Sequence, residues 1–296
     1  MDDWRFVICD VFTDRPLAGN QLAVFTAAEA IPERLLQPLA RETNFSETVF
    51  VYPPETDGST ARIRIFTPTS ELPFAGHPVL GTAVVLGRER GLAEVRLETG
   101  RGPVPIRLEP GTGAAIFGRM EQPVPSVAAF PREEPLLAAL GLTRSELPVE
   151  LYDNGVPHVY VALPDAATVA ALRPDFAALA RVTVDAALPV LGVNCFAGSG
   201  RSWTTRMFAP ADGVPEDPAT GSAAGPLAVH LARHGWIGWG EEIEIAQGAA
   251  VGRPSTLFAR ADGAPDGIER VEVGGSAVVV AAGAFDAQVV ADAAEA

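Results

Sequence analysis

The sequence predicts an α+β protein made of two similar halves, each a curved sheet wrapped around one apolar helix. Many short apolar or alternating runs are separated by 29 glycines and 26 prolines, which is typical of strands joined by turns. Two helical segments, starting near Gly76 and Ser222, are apolar on almost every side and are therefore expected to be buried. The surroundings of these two segments match each other, which indicates an internal duplication.

The duplication is clearest where residues 64–68, Arg-Ile-Phe-Thr-Pro, align with residues 206–210, Arg-Met-Phe-Ala-Pro. In both copies a loop containing proline then leads to a glycine-rich helix start, at residues 74–78 and 217–222. Free backbone N–H groups and the helix dipole allow such a helix start to bind a carboxylate. If a pseudo-twofold axis relates the halves, both helix starts point into the cleft between them, where we expect an anion to bind.

The individual elements follow from local patterns. A helix is predicted over residues 32–43, because Pro32 suits the first helical position and the apolar residues recur on one face. That face consists of Leu35, Leu36, Leu39 and Ala40. Further helices are predicted over residues 76–86, 134–140 and 222–232. Strands are predicted over residues 6–10, 21–25, 48–52, 62–66, 94–98, 104–108 and 114–118, at residue 152, and over residues 158–163, 190–196, 203–208, 242–246, 256–259, 270–273 and 278–282.

Charge and composition exclude several classes of function. The 296 residues carry a net charge of -15, and all 22 basic side chains are arginines. Without lysine, the chain has no side-chain amine for a Schiff base, a pyridoxal-phosphate anchor or a P-loop. Because no basic face is present, we expect no nucleic-acid partner.

The sequence also predicts a cytoplasmic protein with buried thiols. The acidic start does not resemble a signal peptide, and apolar runs such as residues 277–282 are far shorter than the ~20 residues of a membrane helix. We therefore expect no membrane contact. Cys9 and Cys195 each lie inside an apolar run, which favours free, buried thiols over a disulfide.

The four histidines are candidates of unequal weight. His77 stands at the start of the first buried helix, where the dipole keeps an imidazole neutral and able to bind a substrate; a helix cap is the simpler alternative. His158 follows a Val-Pro pair in a strand and is more simply a core or edge histidine. His230 and His234 have the spacing of zinc ligands but lack the Glu of His-Glu-x-x-His, so a solvated helix end is expected and no metal site is predicted.

Two carboxylates and two thiols complete the candidates. Glu47, between a helix and a strand, and Asp217, before the second helix start, can form an acid/base pair. Position alone suits an exposed turn for Glu47 and an Asx-type turn for Asp217. A racemase with one thiol from each half is an alternative for Cys9 and Cys195. Paired groups should then occupy equivalent helix starts, but those positions hold Ala75 and Thr220.

Five motifs in order across most of the chain resemble the PhzF family of phenazine-biosynthesis-like isomerases. They are Asp-Val-Phe-Thr at residues 10–13 with Gly-Asn-Gln-Leu-Ala-Val-Phe at 19–25, Asn-Phe-Ser-Glu-Thr at 44–48, Pro-Phe-Ala-Gly-His-Pro at 73–78 and Glu-Asp-Pro-Ala-Thr-Gly-Ser at 216–222. The resemblance implies the diaminopimelate epimerase-like fold, with two pseudo-symmetric β-barrel-like halves around central helices and an active site in the cleft between them. It implies a first half at residues 1–119, joined by the C-terminal segment at about 277–296, and a second half at residues 120–276.

The same resemblance implies roles for the matching residues. Glu47 is implied to be the general acid/base, with His77 and Asp217 as further members of the catalytic set. The implied substrate-binding residues are Asn20, Ser46, Gly76, Thr220, Gly221 and Ser222. The expected activity is a cofactor-free isomerase, usually a homodimer, that moves a proton between carbons of a small carboxylate. An epimerase or racemase of an amino or hydroxy acid and a non-catalytic small-acid-binding protein are the alternatives.

Overall fold

The protein consists of two compact units in the structure, a computed structural model that describes residues 3–185, 190–264 and 266–293. The first unit comprises Met1–Met120 and Gly275–Ala296, and the second comprises Glu121–Gly274. Residues 1–2, 186–189, 265 and 294–296 of the predicted halves lie outside the described part of the chain.

The first unit is a ring of strands around a helix. Its strands are β1 (Trp4–Val11), β2 (Asn20–Phe25), β3 (Glu47–Tyr52), β4 (Ala61–Phe66), β5 (Glu71–Leu72), β6 (Glu94–Thr99), β7 (Gly102–Pro110) and β8 (Ile116–Gln122), together with the last part of a strand shared with the second unit (Gly267–Phe285). Its helices are α1 (Glu33–Thr43), α2 (Gly76–Arg90) and a short C-terminal helix (Ala287–Ala293). The shared strand pairs with both β1 and β8, which closes the ring.

The second unit contains a similar series. Its strands are β9 (Ser126–Ala129), β10 (Glu150–Asp153), β11 (Pro157–Ala162), β12 (Gly192–Ser199), β13 (Ser202–Ala209), β14 (Val214–Asp217), β15 (Glu242–Gln247), β16 (Ser255–Ala264) and the first part of the shared strand, β17. Its helices are α3 (Glu133–Leu140), α4 (Ala166–Ala171), α5 (Phe176–Val184) and α6 (Gly221–Arg233), and the C-terminal helix is α7.

Strand pairing confirms that the two halves are duplicates. In the first unit, β1–β2 is antiparallel, β2–β3 parallel, β3–β4 antiparallel, β4–β6 parallel and β6–β7–β8 antiparallel. The series β10–β11–β12–β13–β15–β16–β17 repeats this order of directions pair by pair. The short strands β5 and β14 occupy the same place in the two series, each antiparallel to the strand before it.

Both apolar helices are buried, as predicted. In α2 the twelve residues from Gly76 to Gly87 are buried, and the helix packs against β1, β2, β3, β6 and β7. In α6 the twelve residues from Gly221 to Ala232 are buried, and the helix packs against β15 and β16. Among the described residues, no helix is both long and apolar enough to cross a membrane.

Several boundaries, three helices and three short strands differ from the predictions. Residues 270–273 and 278–282 belong to the single strand β17 rather than to two strands, and Pro32 is the N-cap of α1 rather than its first residue. The short strands β5, β9 and β14 and the helix α7 were not predicted. Helices α4 and α5 were not predicted either, although each begins with an aspartate that accepts a backbone N–H three residues on, Asp165 from Thr168 at 2.7 Å and Asp175 from Ala178 at 2.9 Å. These N-caps were the available sequence signal.

Candidate active site

Glu47 is positioned by the end of α1 and the start of β3. Asn44 ends α1 in the left-handed conformation (φ 53°), which asparagine tolerates, and the chain bends through Ser46 before β3 begins. Glu47 is the first residue of that strand, pairs with Leu22 of β2, and has a side chain only 13% exposed. The helix C-cap and the strand pairing thus hold a partly buried carboxylate at the start of β3. The alternative that Glu47 lies in an exposed turn is wrong.

His77 lies beside this carboxylate. It is the second residue of α2, and its Nε2 lies 3.4 Å from Glu47 Oε2, slightly longer than an ordinary hydrogen bond. The Asn20 side-chain amide donates to His77 Nδ1 at 3.2 Å. Because an amide –NH2 only donates, Nδ1 is the acceptor, and the neutral ring carries its proton on Nε2, on the side of Glu47.

Burial keeps His77 neutral. The side chain is almost completely buried, which lowers the pKa of His77 to about 3, with a contact to the Gln21 backbone opposing the shift. At neutral pH the ring is therefore uncharged and can donate from Nε2 to a carboxylate or to a substrate oxygen. This is the state expected of a histidine at a helix start.

Asn20 is fixed in place by its neighbour Gly19. Gly19 has φ +69°, and a Cβ built on it would lie 2.4 Å from the backbone oxygen of Val11. No other residue fits there without moving the backbone. The next residue, Asn20, is the first of β2 and pairs with Val11, so its amide has a defined direction toward His77.

The start of α2 suits an anion. Its N-cap is Ala75, no side chain caps the helix, and no acidic residue lies in the first turn. By helix geometry, the first backbone N–H groups, including those of Gly76 and His77, have no acceptor within the helix. They therefore present partial positive charge that favours a negatively charged ligand.

A second polar cluster surrounds the start of α6 in the second unit. Asp217, the last residue of β14, is buried and accepts a 2.6 Å hydrogen bond from Thr220 Oγ1. Gln247 Nε2 donates to the Asp217 backbone oxygen and to Thr220 Oγ1, each at 2.9 Å, and its Oε1 accepts from the Thr220 backbone N–H at 3.1 Å. The sequence predicts Asp217 and Thr220 as site residues but not Gln247, which is hydrogen-bonded to both of them.

The first carbonyl groups of α6 are also held by side chains that sequence reasoning missed. Gln122 Nε2 donates to the Gly221 oxygen at 2.8 Å, Asn154 Nδ2 to the Ser222 oxygen at 2.9 Å, and the Tyr160 hydroxyl to the Ala223 oxygen at 2.8 Å. The donors come from β8, β11 and the end of β10, far away in sequence. Together they fix the backbone of the helix start without occupying its N–H groups.

Equivalent positions in the two units are chemically different. Thr48 pairs with Phe66 in the first unit and Val193 pairs with Phe208 in the second, so the counterpart of Glu47 is Gly192. A Cβ at Gly192 would lie 2.6 Å from the Met207 sulfur. The second unit therefore has no side chain at the position that carries the carboxylate in the first.

The two cysteines do not supply a second reactive group. Cys9 and Cys195 are free and buried, as predicted. Burial raises the pKa of both thiols far above their ordinary value, so neither is a thiolate at neutral pH. The helix N-caps, Ala75 and Thr220, carry no thiol either.

The paired histidines near the end of α6 belong to an ion-pair cluster. Glu150 Oε2 lies 3.2 Å from His230 Nδ1, 3.0 Å from His234 Nε2 and 3.0 Å from Arg233 Nη1. The expectation of a solvated helix end is wrong for His230, which is fully buried against Tyr152. Glu150, His230 and His234 are close enough to hold a metal ion. However, the guanidinium on the same oxygen already supplies the positive charge and would repel a divalent cation.

Three arginines near the loops that precede α2 and α6 form ion pairs with carboxylates of the same chain. Arg64 Nε and Nη2 each lie 2.7 Å from an oxygen of Glu71, and Arg206 contacts Glu216 in the same two-pronged way at 2.9 and 2.7 Å. Arg62 Nε lies 3.0 Å from a carboxylate of the same unit. These arginines neutralise carboxylates of the protein itself and are not predicted to bind a substrate anion.

Comparison with known proteins identifies the family. The description "Phenazine biosynthesis-like protein" applies to the family that matches residues 9–283. The trans-2,3-dihydro-3-hydroxyanthranilate isomerase of Pseudomonas aeruginosa is 51% identical over 279 residues, covering 94% of this chain and 98% of that protein. A phenazine biosynthesis protein of the PhzF family from Bacillus anthracis superposes with a TM-score of 0.82 at 24% identity, covering 96% of this chain and 99% of that one.

The fold extends to a more distant enzyme class. A probable proline racemase from Agrobacterium radiobacter K84 has a TM-score of 0.63 at 12% identity, covering 94% of this chain and 92% of that one. The two-unit architecture is thus the diaminopimelate epimerase-like fold, as predicted. Within that fold, the chain belongs to the phenazine biosynthesis-like (PhzF) family, and it is an isomerase.

Proposed function

We propose that the protein isomerises trans-2,3-dihydro-3-hydroxyanthranilate by moving one proton between ring carbons, with Glu47 as the general acid/base. The observation that carries the mechanism is the pair formed by Glu47 and the neutral His77, 3.4 Å apart at the start of a buried helix. The substrate is suggested by the relative from Pseudomonas aeruginosa, which is 51% identical over nearly the whole of both chains.

Glu47 removes a proton from an activated carbon and returns it to another carbon. His77, held by Asn20, donates from Nε2 and steadies the carboxylate while it is charged. Positioned proton transfer of this kind contributes ~10²–10⁴-fold in rate. The reaction needs no cofactor, since the proton that leaves one carbon is the proton that another carbon receives.

The two helix starts and two serines bind the substrate carboxylate in this proposal. The helix starts at Gly76 and Gly221 offer backbone N–H groups. Asp217 and Thr220 form one hydrogen-bonded unit that shapes the start of α6, because the Thr220 hydroxyl donates to Asp217 and the Thr220 N–H donates to Gln247. Each helix start stabilises an anion by roughly 0.3–1 kcal/mol, or up to ~2 kcal/mol when partly buried. Ser46, in the bend before Glu47, and Ser222 supply hydroxyl groups.

A proton shift by one base fits the residues better than racemisation by two. Racemases of the two-thiol type need a reactive group from each half, but the N-caps are Ala75 and Thr220. The counterpart of Glu47 is Gly192, so the second unit offers no carboxylate at that register. Two-base epimerisation of an amino or hydroxy acid is therefore not proposed.

We further propose a cytoplasmic homodimer. The family resemblance supports the dimer, and two unpaired buried cysteines agree with a reducing compartment. Native mass spectrometry of the purified chain should give twice the monomer mass, and a monomer at micromolar concentration would contradict the proposal.

The decisive experiment compares Glu47→Gln with a matched control, Glu42→Gln. Both changes neutralise one glutamate in the same short region, but Glu42 is an exposed residue of α1. Each protein is incubated with the substrate in deuterated water, and product formation and deuterium content are read by mass. Glu47→Gln should lose nearly all turnover and exchange, whereas Glu42→Gln should behave as the wild type. Unchanged exchange in Glu47→Gln would exclude Glu47 as the base.

A further inference from the structure

A buried histidine with no role in the proposed mechanism contacts the hydroxyl at the start of α6. His158 Nε2, on β11, lies 3.0 Å from Ser222 Oγ. His158 is completely buried, and Ser222 is almost so. The histidine is remote from Ser222 in sequence, and only the fold brings them together.

The other ring nitrogen of His158 faces apolar surroundings. Nδ1 has no hydrogen-bond partner among the residues that the structure describes. It lies over Gly192, where an added Cβ would be 3.1 Å from Nδ1 and 2.6 Å from the Met207 sulfur. Burial lowers the pKa of His158 to about 3, so the ring is neutral and its single proton is on either Nδ1 or Nε2.

The position of that proton decides what Ser222 can do. If the proton is on Nδ1, it is buried without an acceptor, which is costly, and Ser222 must donate its hydrogen to Nε2. The serine then presents only lone pairs to an approaching anion. If the proton is on Nε2, it is donated to Ser222 Oγ, and the serine hydrogen is free to donate elsewhere.

A carboxylate at the helix start selects the second arrangement. Because the anion accepts hydrogen bonds, it attracts the serine hydrogen and is repelled by the serine lone pairs. In the first unit a similar relation exists, since the Asn20 amide donates to His77 and leaves the outer ring N–H of His77 free. In both units a side chain from a neighbouring strand sets the polarity of the second residue of a buried helix.

We propose that His158 is a positioning residue of the carboxylate site, donating Nε2–H to Ser222 Oγ and thereby directing the serine hydrogen toward the substrate carboxylate. The inference rests on the proposed function, because it assumes that a carboxylate binds at the start of α6. It assigns His158 no contact with the reacting carbons. Its effect should therefore appear in substrate binding rather than in the chemical step.

Four variants test this role by steady-state kinetics: His158→Leu, His158→Gln, Ser222→Ala and the double variant His158→Leu/Ser222→Ala. Leucine keeps the bulk but removes the donor, and it should raise KM about tenfold, the factor of one charge-assisted hydrogen bond of roughly 1.4 kcal/mol, with kcat within about twofold of the wild type. Glutamine places an N–H near the Nε2 position and should restore most of the lost affinity. The KM of the double variant should be no higher than that of Ser222→Ala alone, because both changes act on the same hydrogen bond from Ser222 to the carboxylate.

Three results would overturn the proposal. The first is a KM of the double variant that equals the product of the two single effects on KM. The second is a KM of His158→Gln as high as that of His158→Leu. The third is a lower kcat in His158→Leu without a change in KM. If His158→Leu does not fold, His158→Asn replaces it, because the shorter amide reaches the Nδ1 rather than the Nε2 position. His158→Gln should then have a KM close to that of the wild type and His158→Asn a clearly higher KM, and equal KM values for the two variants would refute the role.

Failure of the proposed function can be told apart from failure of this inference. If the wild type does not turn over the substrate, the proposed reaction is wrong, and the same variants are compared by calorimetry with anthranilate as the carboxylate probe. A weaker Kd in His158→Leu that is restored in His158→Gln would support the positioning role by itself. A wild-type protein that neither turns over the substrate nor binds anthranilate overturns both.

Discussion

The two arginine–glutamate pairs offer a controlled measurement of what burial does to an ion pair. Arg206–Glu216 and Arg64–Glu71 occupy equivalent strands and have the same two-pronged geometry. The side chains of Arg206 and Glu216 are only 11% and 8% exposed, whereas those of Arg64 and Glu71 are 20% and 42% exposed. Arg206 Nη1 also donates to the backbone oxygen of Leu172 at 2.9 Å.

The expected costs differ because of this burial. Arg206→Gln leaves the Glu216 carboxylate buried without its partner, which should lower the free energy of unfolding by about 3–5 kcal/mol. Arg64→Gln leaves Glu71 and the second partner of Arg64, Glu33, which are 42% and 74% exposed and which water can solvate, so the loss should be about 0.2–1 kcal/mol. Because Glu216 immediately precedes Asp217, Arg206→Gln should also weaken substrate binding.

Urea unfolding followed by tryptophan fluorescence measures the difference. Three of the four tryptophans, at residues 203, 236 and 239, lie in the second unit with Arg206, so the signal reports mainly on that unit. The double variant Arg206→Met/Glu216→Leu removes both charges and should recover most of the stability lost in Arg206→Gln. Equal midpoints for Arg206→Gln and Arg64→Gln, or a double variant as unstable as Arg206→Gln, would refute the reasoning.

Two further predictions follow from buried groups of the candidate site. His77 and His158 have pKa values near 3 in the fold and about 6.5 when unfolded, so the unfolded chain binds more protons between these values and stability should fall as pH drops from about 6.5 toward 3. Urea titrations at pH 7, roughly 5.5 and roughly 4.5 should show a smaller loss in His77→Gln than in the wild type, and an equal loss would contradict the assignment. Gly19→Ala should destabilise the protein by more than ~1 kcal/mol and lower kcat/KM, since the new Cβ would meet the Val11 backbone oxygen and displace Asn20. Unchanged melting and kinetics would show that the loop accommodates a side chain.

Local sequence patterns were sufficient to predict the elements that carry the site. The start of α2 at Gly76 and the buried character of α6 follow from composition and periodicity within a few residues of each position. The internal duplication is visible for a different reason, because the repeated Arg-x-Phe segments lie at the matching strands β4 and β13. A helix has a short-range physical cause and a repeat is written in the residues themselves, so the sequence alone reveals both.

Contacts between distant strands could not be predicted in the same way. Gln247, on β15, reaches Asp217 and Thr220 only because of the register of the second unit. The sequence predicts a core or edge histidine at position 158, and no residue near it in the sequence indicates that His158 contacts Ser222. Gly192 is one of many glycines in the sequence, and only the pairing of β12 with β13 shows that it replaces a glutamate.

The absence of lysine has a physical consequence for anion binding. The chain has a net charge of -15, and Arg64 and Arg206 are bound to its own glutamates. In the proposed mechanism, a carboxylate substrate is therefore held by dipoles, namely helix-start N–H groups, the neutral His77 and the Ser222 hydroxyl. Salt screens interactions between exposed full charges strongly and buried dipoles much less. Burial also strengthens such dipoles, because little water competes for the anion, so a strongly acidic protein can bind an acidic substrate without a free cationic side chain.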